Sequence, residues 1–111
     1  MDLEEWQDGN ALVFKVMDRR LDAISAPAVR TRLRKMIRDG HRRIAFDLSR
    51  VEFIDSSGLS ALVYAMKQLG ASGDMVVGGA RSTVISLFKL TRLDKVFRVF
   101  PDTEEAIAAL R

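Results

Sequence analysis

The segment FDLSRVEFIDSSGL, residues 46–59, is the most informative part of this chain of 111 residues. It continues the apolar run RIAFDL at 43–48, which is short, bounded by polar residues and typical of a buried central strand. A polar loop follows from Ser49 to Asp55, and from Ser57 onward apolar residues recur at helical spacing. The stretch therefore predicts a strand, a loop and a helix whose first turn carries adjacent serines.

The segments on the N-terminal side predict a strand and a helix. The run ALVFKVM at 11–17 is apolar and rich in Val and Phe, which indicates a mostly buried strand, and the turn signal at 8–10 leaves room for a short strand before it. Ser25 and Pro27 suit the start of a helix, and Asp39-Gly40 suits its end. Between them, one apolar stripe at helical spacing is formed by Val29, Leu33, Met36 and Ile37.

The segments on the C-terminal side continue the alternation of strands and helices. A second helix is predicted from Ser57 to Leu69 with Gly70 at its end, and the run DMVVGG at 74–79 is predicted as a strand. The next elements are predicted as a helix containing Val84, Leu87 and Phe88 and a strand from Val96 to Phe100. A last helix is predicted to begin at Asp102, with Glu105 as its capping-box pair, and to bury Ile107 and Leu110.

This regular alternation predicts the fold class. Strands that are joined through helices run parallel in one sheet, with the helices packed on its faces. We therefore expect an α/β fold with a mixed, largely parallel sheet of about four to five strands and about four helices packed on it. The N-terminal strand is expected to add an antiparallel pairing, and residues 1–111 are expected to form a single domain.

Composition excludes several kinds of protein. The chain has no cysteine, which excludes disulfides and thiolate metal sites. No apolar run approaches the ~20 residues that cross a bilayer, and the opening MDLEEWQDGN lacks the basic and apolar parts of an export signal, so we expect a cytoplasmic protein without membrane insertion. The net charge is +3, and many of the cations lie on the outer face of the first predicted helix. Such a face is more often solvated than bound to nucleic acid.

The chemistry of the chain is expected at Ser56. The first backbone N–H groups of a helix are unpaired and its dipole is positive there, so an exposed oxyanion at that point is stabilised by roughly 0.3–1 kcal/mol. Gly58 has no side chain and is expected to let a partner backbone or a transferred phosphate approach closely. Two alternatives stay open: Ser56 is only a helix cap, or Ser57 is the reactive serine.

The sequence D-S-S-G-L at 55–59, preceded by an apolar strand and by Leu21-Asp22 farther upstream, resembles the STAS domain family and specifically the bacterial anti-sigma factor antagonists. The similarity extends to Asp74–Val77 and to the region from Leu90 to Phe100. The resemblance implies a phosphoacceptor at Ser56, no cofactor, no metal site and no enzymatic activity. It also implies an anti-sigma factor with ATP-dependent serine kinase activity as partner, and a metal-dependent phosphatase that acts on phosphorylated Ser56.

The resemblance implies a partner-binding surface around this serine. It consists of the loop that contains Asp22 and of the first turns of the second helix, and its members are Asp22, Ile24, Ser25, Asp55, Ser57, Gly58, Leu59 and Leu62. Asp22 is alternatively a turn residue of its loop. The family often has glycine three residues before this aspartate, where this chain has Arg19 followed by Arg20. These cations are expected to favour an acidic partner surface and to stabilise a phosphoserine.

Three other classes of function are alternatives to an anti-sigma factor antagonist. A STAS domain can instead be a structural subunit of a lipid-transport ATPase complex or of a stress-sensing assembly, without phosphorylation. A basic nucleic-acid module is a weaker alternative, because no recognition motif accompanies the arginines. An enzyme is disfavoured because the G-x-S-x-G and phosphate-loop motifs are absent from the sequence and the only histidine, His41, follows a helix end.

Overall fold

The structure is a computed structural model that describes residues 3–111. The strands are β1 (Leu3–Asp8), β2 (Ala11–Val16), β3 (Arg20–Leu21), β4 (Arg43–Asp47), β5 (Phe53–Ile54), β6 (Asp74–Gly78) and β7 (Arg98–Phe100). The α-helices are α1 (Ala26–Arg38), α2 (Ser56–Leu69), α3 (Ser82–Leu90) and α4 (Thr103–Ala109). Short 3-10 helices cover Gly70–Ser72 and Leu93–Lys95.

The main sheet confirms the predicted fold class. Its strand order is β1-β2-β4-β6-β7, in which β1 pairs antiparallel with β2 and every other neighbouring pair is parallel. The short strand expected before the turn at 8–10 is β1, and Gly9 adopts the left-handed φ of 61° that this turn requires. The sheet is therefore mixed and largely parallel, as its pattern of crossovers predicts.

Helices cover both faces of the sheet unequally. On one face, α1, α2 and α3 pack over large side chains such as Phe14 and Phe46, whose ring centroids are 5.0 Å apart. On the other face α4 packs Ile107 against small strand residues, among them Val13 and Ala45. Because the central strands are buried on both sides, their sequences are mainly apolar and lack the regular polar alternation of a half-exposed strand.

A second, two-stranded sheet was missed by the sequence prediction. Strands β3 and β5 pair in parallel, with Leu21 opposite Ile54. No element was predicted at β3, and β5 lies inside a segment that was expected to be a loop. The prediction of loop for all of residues 49–55 is therefore wrong at Phe53–Ile54. A strand of two residues is too short to show a periodicity, so only the tertiary pairing reveals it.

The helix starts follow the expected chemistry with small shifts. Helix α4 begins after Asp102, whose carboxylate accepts a hydrogen bond from the Glu105 backbone N–H at 2.8 Å. The last strand is shorter than expected, because Val96 ends a 3-10 helix and pairing starts at Arg98. Within residues 3–111, no helix combines the length and the apolar character that crossing a bilayer requires.

Candidate functional site

Helix α2 begins one residue earlier than the sequence predicts, which changes the role of Ser56. Asp55 is the N-cap, and its Oδ1 accepts a hydrogen bond from the Gly58 N–H at 3.0 Å. Ser56 is the first helical residue and its side chain is exposed. The alternative in which Ser56 caps the helix is wrong, because the Asp55 carboxylate already fills that position. Within residues 3–111, no group engages the Ser56 hydroxyl in a hydrogen bond.

The loop beside this helix start is organised by Asp22. Its Oδ1 accepts from the backbone N–H groups of Ile24 at 3.1 Å and Ser25 at 3.3 Å, and the Ser25 hydroxyl accepts from the Asp22 N–H at 3.0 Å. The Ser25 hydroxyl also donates to the Arg20 carbonyl at 3.0 Å. These reciprocal bonds close the turn that leads into α1, so Asp22 has the turn role that was one of its two alternatives.

The Asp22 carboxylate is held in its charged form. Arg20 Nε donates to Asp22 Oδ2 at 3.1 Å, and this hydrogen bond is the largest cause that lowers the pKa of Asp22 below its ordinary value of 3.8. Partial burial acts in the opposite direction, and the backbone N–H donors of Ser25 and Ile24 lower the pKa further. Asp22 is consequently a fixed negative charge near neutral pH.

A hydrogen bond joins the loop to the helix start. Asp55 Oδ2 accepts from the Ala23 N–H at 3.3 Å, and the Asp55 N–H donates to the Leu21 carbonyl at 3.2 Å. The same carboxylate thus caps α2 and positions the loop. We call the exposed surface that results the switch surface, and it consists of Asp22, Ala23, Ile24, Asp55, Ser56 and Ser57. Ile24 is 91% exposed, so the switch surface presents one large aliphatic side chain to solvent.

Four of the expected partner-binding residues are buried, and these expectations are corrected: Ser25, Gly58, Leu59 and Leu62. Leu62 is 0% exposed and Leu59 only 8%, because both belong to the core beneath α2. Neither side chain can contact a partner substantially while the domain keeps this fold. Ser25 is also buried, and its hydroxyl is occupied within its own loop. These residues support the switch surface from below.

Gly58 also differs from its expected role. A Cβ atom at this position would lie 2.3 Å from the Leu21 carbonyl oxygen and 2.7 Å from Ile54 Cγ1. The missing side chain therefore lets α2 pack tightly on β3 and β5, and the expectation that it gives room to a partner or a phosphate is wrong. Glycine is required here by an internal contact.

Arg19 and Arg20 are engaged with neighbours of their own. Arg19 Nε lies 3.4 Å from Glu52 Oε2, and both side chains are largely exposed. The Arg20 guanidinium lies 4.3 Å above the Phe53 ring while it also binds Asp22. Their expected action on a phosphoserine stays a prediction, and these contacts place both cations on the side of β3 and β5.

A groove between α1 and α2 was missed by the sequence reading. It has a volume of about 580 Å³, and its small residues include Ala23, Ser57 and Ser60. Ser56 lies at the start of the α2 side, and Arg30 and Arg34 line the α1 side. The sequence contained one signal for it, because Ser60 follows Ser56 by one helical turn and therefore shares its face. The arginines could not be assigned to the same groove before α1 was placed.

Comparison with known proteins identifies the family. The model of the STAS domain family matches residues 5–106. The chain belongs to this family. Its curated relatives include the anti-sigma-F factor antagonist RsfB of Mycobacterium tuberculosis, which is 29% identical over 104 residues that cover 94% of this chain and 85% of RsfB.

Solved STAS structures agree with the architecture. An anti-sigma factor antagonist from Mycobacterium paratuberculosis is 29% identical and superposes with a TM-score of 0.91, covering 99% of this chain and 93% of that one. The Bacillus cell fate determinant SpoIIAA in its phosphorylated form is 22% identical, with a TM-score of 0.76 and coverage of 99% and 100%. At that identity the second likeness concerns the STAS fold alone.

Proposed function

We propose that this STAS domain is an anti-sigma factor antagonist that works by phosphorylation-controlled partner switching. Unphosphorylated protein binds an anti-sigma factor that is also a serine kinase, and protein phosphorylated at Ser56 does not. A metal-dependent serine phosphatase restores the binding form. The observation that carries the proposal is the exposed Ser56 hydroxyl, unoccupied by the capping of α2, next to a loop that displays the 91% exposed Ile24.

The geometry supports Ser56 as the phosphoacceptor. Because the Asp55 carboxylate caps the helix, the Ser56 hydroxyl has no structural duty that phosphorylation would disrupt. In the transfer, a bond forms between Ser56 Oγ and the γ-phosphorus of ATP, the bond to the ADP oxygen breaks, and the hydroxyl proton passes to the kinase base. Ser57 is only partly exposed, which favours Ser56.

The charge of the phosphate provides the switch. A phosphoserine carries about −1.5 to −2 charges at pH 7, and in the centre of an interface this charge must be desolvated against whatever faces it. Every 1.4 kcal/mol is about tenfold in affinity, so a penalty of ~3–4 kcal/mol releases a partner at ordinary concentrations. The free N–H groups in the first turn of α2 can donate hydrogen bonds to a neighbouring anion, so phosphorylation leaves the fold intact.

The switch surface suggests how the partner is bound. Ile24 is an exposed aliphatic anchor, and the hydrogen-bonded turn around Asp22 holds its loop in place. Buried residues beneath the switch surface hold the Ile24 loop and Ser56 at fixed positions, and they are Gly58, Leu59 and Leu62. In this proposal the chain acts in the cytoplasm as one regulatory domain, without catalysis, cofactor or direct contact with nucleic acid.

The decisive experiment is a phosphate transfer and binding assay. The purified chain is incubated with the anti-sigma factor of its own cell and Mg-ATP, and intact-mass analysis follows the wild type, Ser56→Ala and the control Ser57→Ala. We expect one added phosphate on the wild type and on Ser57→Ala, none on Ser56→Ala, and loss of complex formation after transfer. Equal phosphorylation of Ser56→Ala, or a complex that survives the modification, would refute the switch. Permanent co-purification of unmodified protein with a membrane ATPase would favour the structural-subunit alternative.

A further inference from the structure

The two arginines of the groove, Arg30 and Arg34, bind neutral hydroxyls, whereas other cations of the same helix pair with carboxylates. Arg32, on the same helix, pairs with Glu5, and Lys35 pairs with Asp39. By contrast, Arg30 Nη2 donates to the neutral hydroxyl of Ser60 at 3.1 Å, and Arg34 Nε donates to the Tyr64 hydroxyl at 3.0 Å. Within residues 3–111, no carboxylate lies within 4.0 Å of either guanidinium. The groove therefore carries positive charge without a counter-charge.

Arg30 is in addition incompletely hydrogen-bonded. Its Nε is buried, and within the part of the chain that the structure describes this nitrogen has no acceptor. The guanidinium lies 5.1 Å from the centre of the Tyr64 ring, which stabilises a cation without supplying an acceptor. Burial of an unsatisfied donor on a charged group is costly, so Arg30 gains from a rearrangement of its guanidinium that gives this nitrogen an acceptor.

Ser56 is placed to supply that anion. Ser60 follows it by one turn of α2, and side chains at this spacing lie about 5–6 Å apart at Cβ on the same face of a helix. The Arg30 guanidinium already contacts Ser60, and all three residues line one groove. Asp55, which directly precedes Ser56 in the chain, turns its oxygens to the N–H groups of Gly58 and Ala23.

We propose that Arg30 holds the phosphate of phosphorylated Ser56 in the α1/α2 groove, in exchange for its hydrogen bond to Ser60. This inference rests on the proposed function and deepens it, because it assigns the regulation of the phosphorylated state to a residue that is absent from the switch surface. A planar guanidinium can bind two phosphate oxygens at once, and Arg34 adds a second positive charge in the groove. The captured phosphate is partly covered by α1, so Arg30 slows dephosphorylation and prolongs the released state.

The test measures the phosphate itself. Phosphoserine is incorporated at position 56 during translation, so no kinase is needed, and the phosphorus NMR signal is titrated in the wild type, Arg30→Gln and the control Arg38→Gln. Arg38 lies exposed at the end of α1. A free phosphoserine has a second pKa near ~6. We expect this pKa to be lowered by about one in the wild type and in Arg38→Gln. In Arg30→Gln it is expected to lie closer to the ordinary value, because only Arg34 and the first N–H groups of α2 still stabilise the dianion.

A second measurement removes any dependence on how the variant folds. In the wild type, the Arg30 Nε–H resonance is compared before and after phosphorylation, and we expect it to shift strongly as this donor gains an acceptor. An unchanged resonance, or identical phosphate titrations of wild type and Arg30→Gln, would overturn the inference. A third outcome would also overturn it: unphosphorylated Arg30→Gln binds the partner more weakly than the wild type, while the phosphate pKa of phosphorylated Arg30→Gln equals that of the wild type. The groove would then bind a carboxylate of the partner instead of the phosphate.

The two proposals fail in different ways. If no kinase of the native cell modifies Ser56, the proposed function is refuted, whereas the titration of incorporated phosphoserine still reports on Arg30. If the kinase modifies Ser56 and the phosphate titrates normally, only the role of Arg30 is refuted.

Discussion

Replacement of Gly58 by alanine tests how the switch surface is supported, because two physical effects predict opposite results. Alanine is a better helix former than glycine by about 1 kcal/mol, so helix propensity alone predicts a more stable protein. The structure predicts the reverse, since the new Cβ would lie 2.3 Å from the Leu21 carbonyl oxygen and 2.7 Å from Ile54 Cγ1. Real Cβ atoms do not approach so closely, and α2 or β3 must move.

The magnitude follows from the groups involved. The Leu21 carbonyl accepts from the Asp55 N–H, and its strand pairs with β5, so the obstacle is backbone that is itself hydrogen-bonded. Added methyl groups in packed sites cost about 1–3 kcal/mol, and a backbone clash belongs at the upper end. After subtraction of the propensity gain, we expect a loss of about 2 kcal/mol in the free energy of unfolding.

Thermal unfolding followed by circular dichroism measures this loss. For a domain of about this size each kcal/mol changes Tm by roughly 4–8 °C, so Gly58→Ala is expected to unfold roughly 8–16 °C below the wild type. Gln68→Ala, on the exposed surface of the same helix, is the matched control and is expected to unfold within a few degrees of the wild type. A Gly58→Ala protein as stable as the wild type, or more stable, would refute the assigned role of this glycine.

Three further predictions follow from the same region. Leu62→Ala is expected to lower the free energy of unfolding by about 2–5 kcal/mol in denaturant titrations. Ile24→Ala is expected to leave the free energy of unfolding within about 0.5 kcal/mol of the wild type and to weaken partner binding in calorimetry. The reverse pattern would contradict the buried position of Leu62 and the exposed position of Ile24. Asp55→Ala is expected to cost about 0.5–2 kcal/mol through loss of the helix cap, while Ser56→Ala costs little, and equal losses in chemical unfolding would show that Ser56 shares the capping. Because the pKa of Asp22 is lowered, its contribution to stability is complete above its ordinary value of 3.8 and disappears as the pH falls through the lower folded value. Carbon NMR of the Asp22 carboxyl checks this, and an ordinary or raised pKa would contradict the hydrogen-bonded turn.

Much of the architecture could be predicted from periodicity. The apolar stripe of α1 and the helical spacing after Ser57 predicted two helices, and the largely apolar runs at 11–17 and 43–48 indicated a mostly buried strand and a central strand. These patterns are local, because a helix or a strand must place its own apolar side chains on the face that is buried. The order of elements then constrained the sheet to be largely parallel.

The errors have a common physical origin in long-range contacts. Strands β3 and β5 are two residues each and come from distant parts of the chain, so no local pattern could show that they pair. The role of Gly58 depends on the Leu21 carbonyl, and the burial of Leu62 depends on how deeply α2 sits on the sheet. The family resemblance implied that these residues belong to the partner-binding surface, and a resemblance in motif carries no information on how deeply a helix packs.

Local sequence specifies which chemical groups this protein can use: a serine in the first turn of a helix, an aspartate before it, and further hydroxyls one and two turns along the same face at Ser60 and Tyr64. Helical spacing encodes that face without reference to the rest of the molecule. Which cations meet those hydroxyls depends on how the helices pack in the folded protein. The core packing between α1 and α2 brings Arg30 and Arg34 to the groove, while β3 directs Arg19 and Arg20 to other partners. The reason is that an encounter between side chains on different elements depends on the orientation of both elements, and this orientation is set by the buried faces that pack them together.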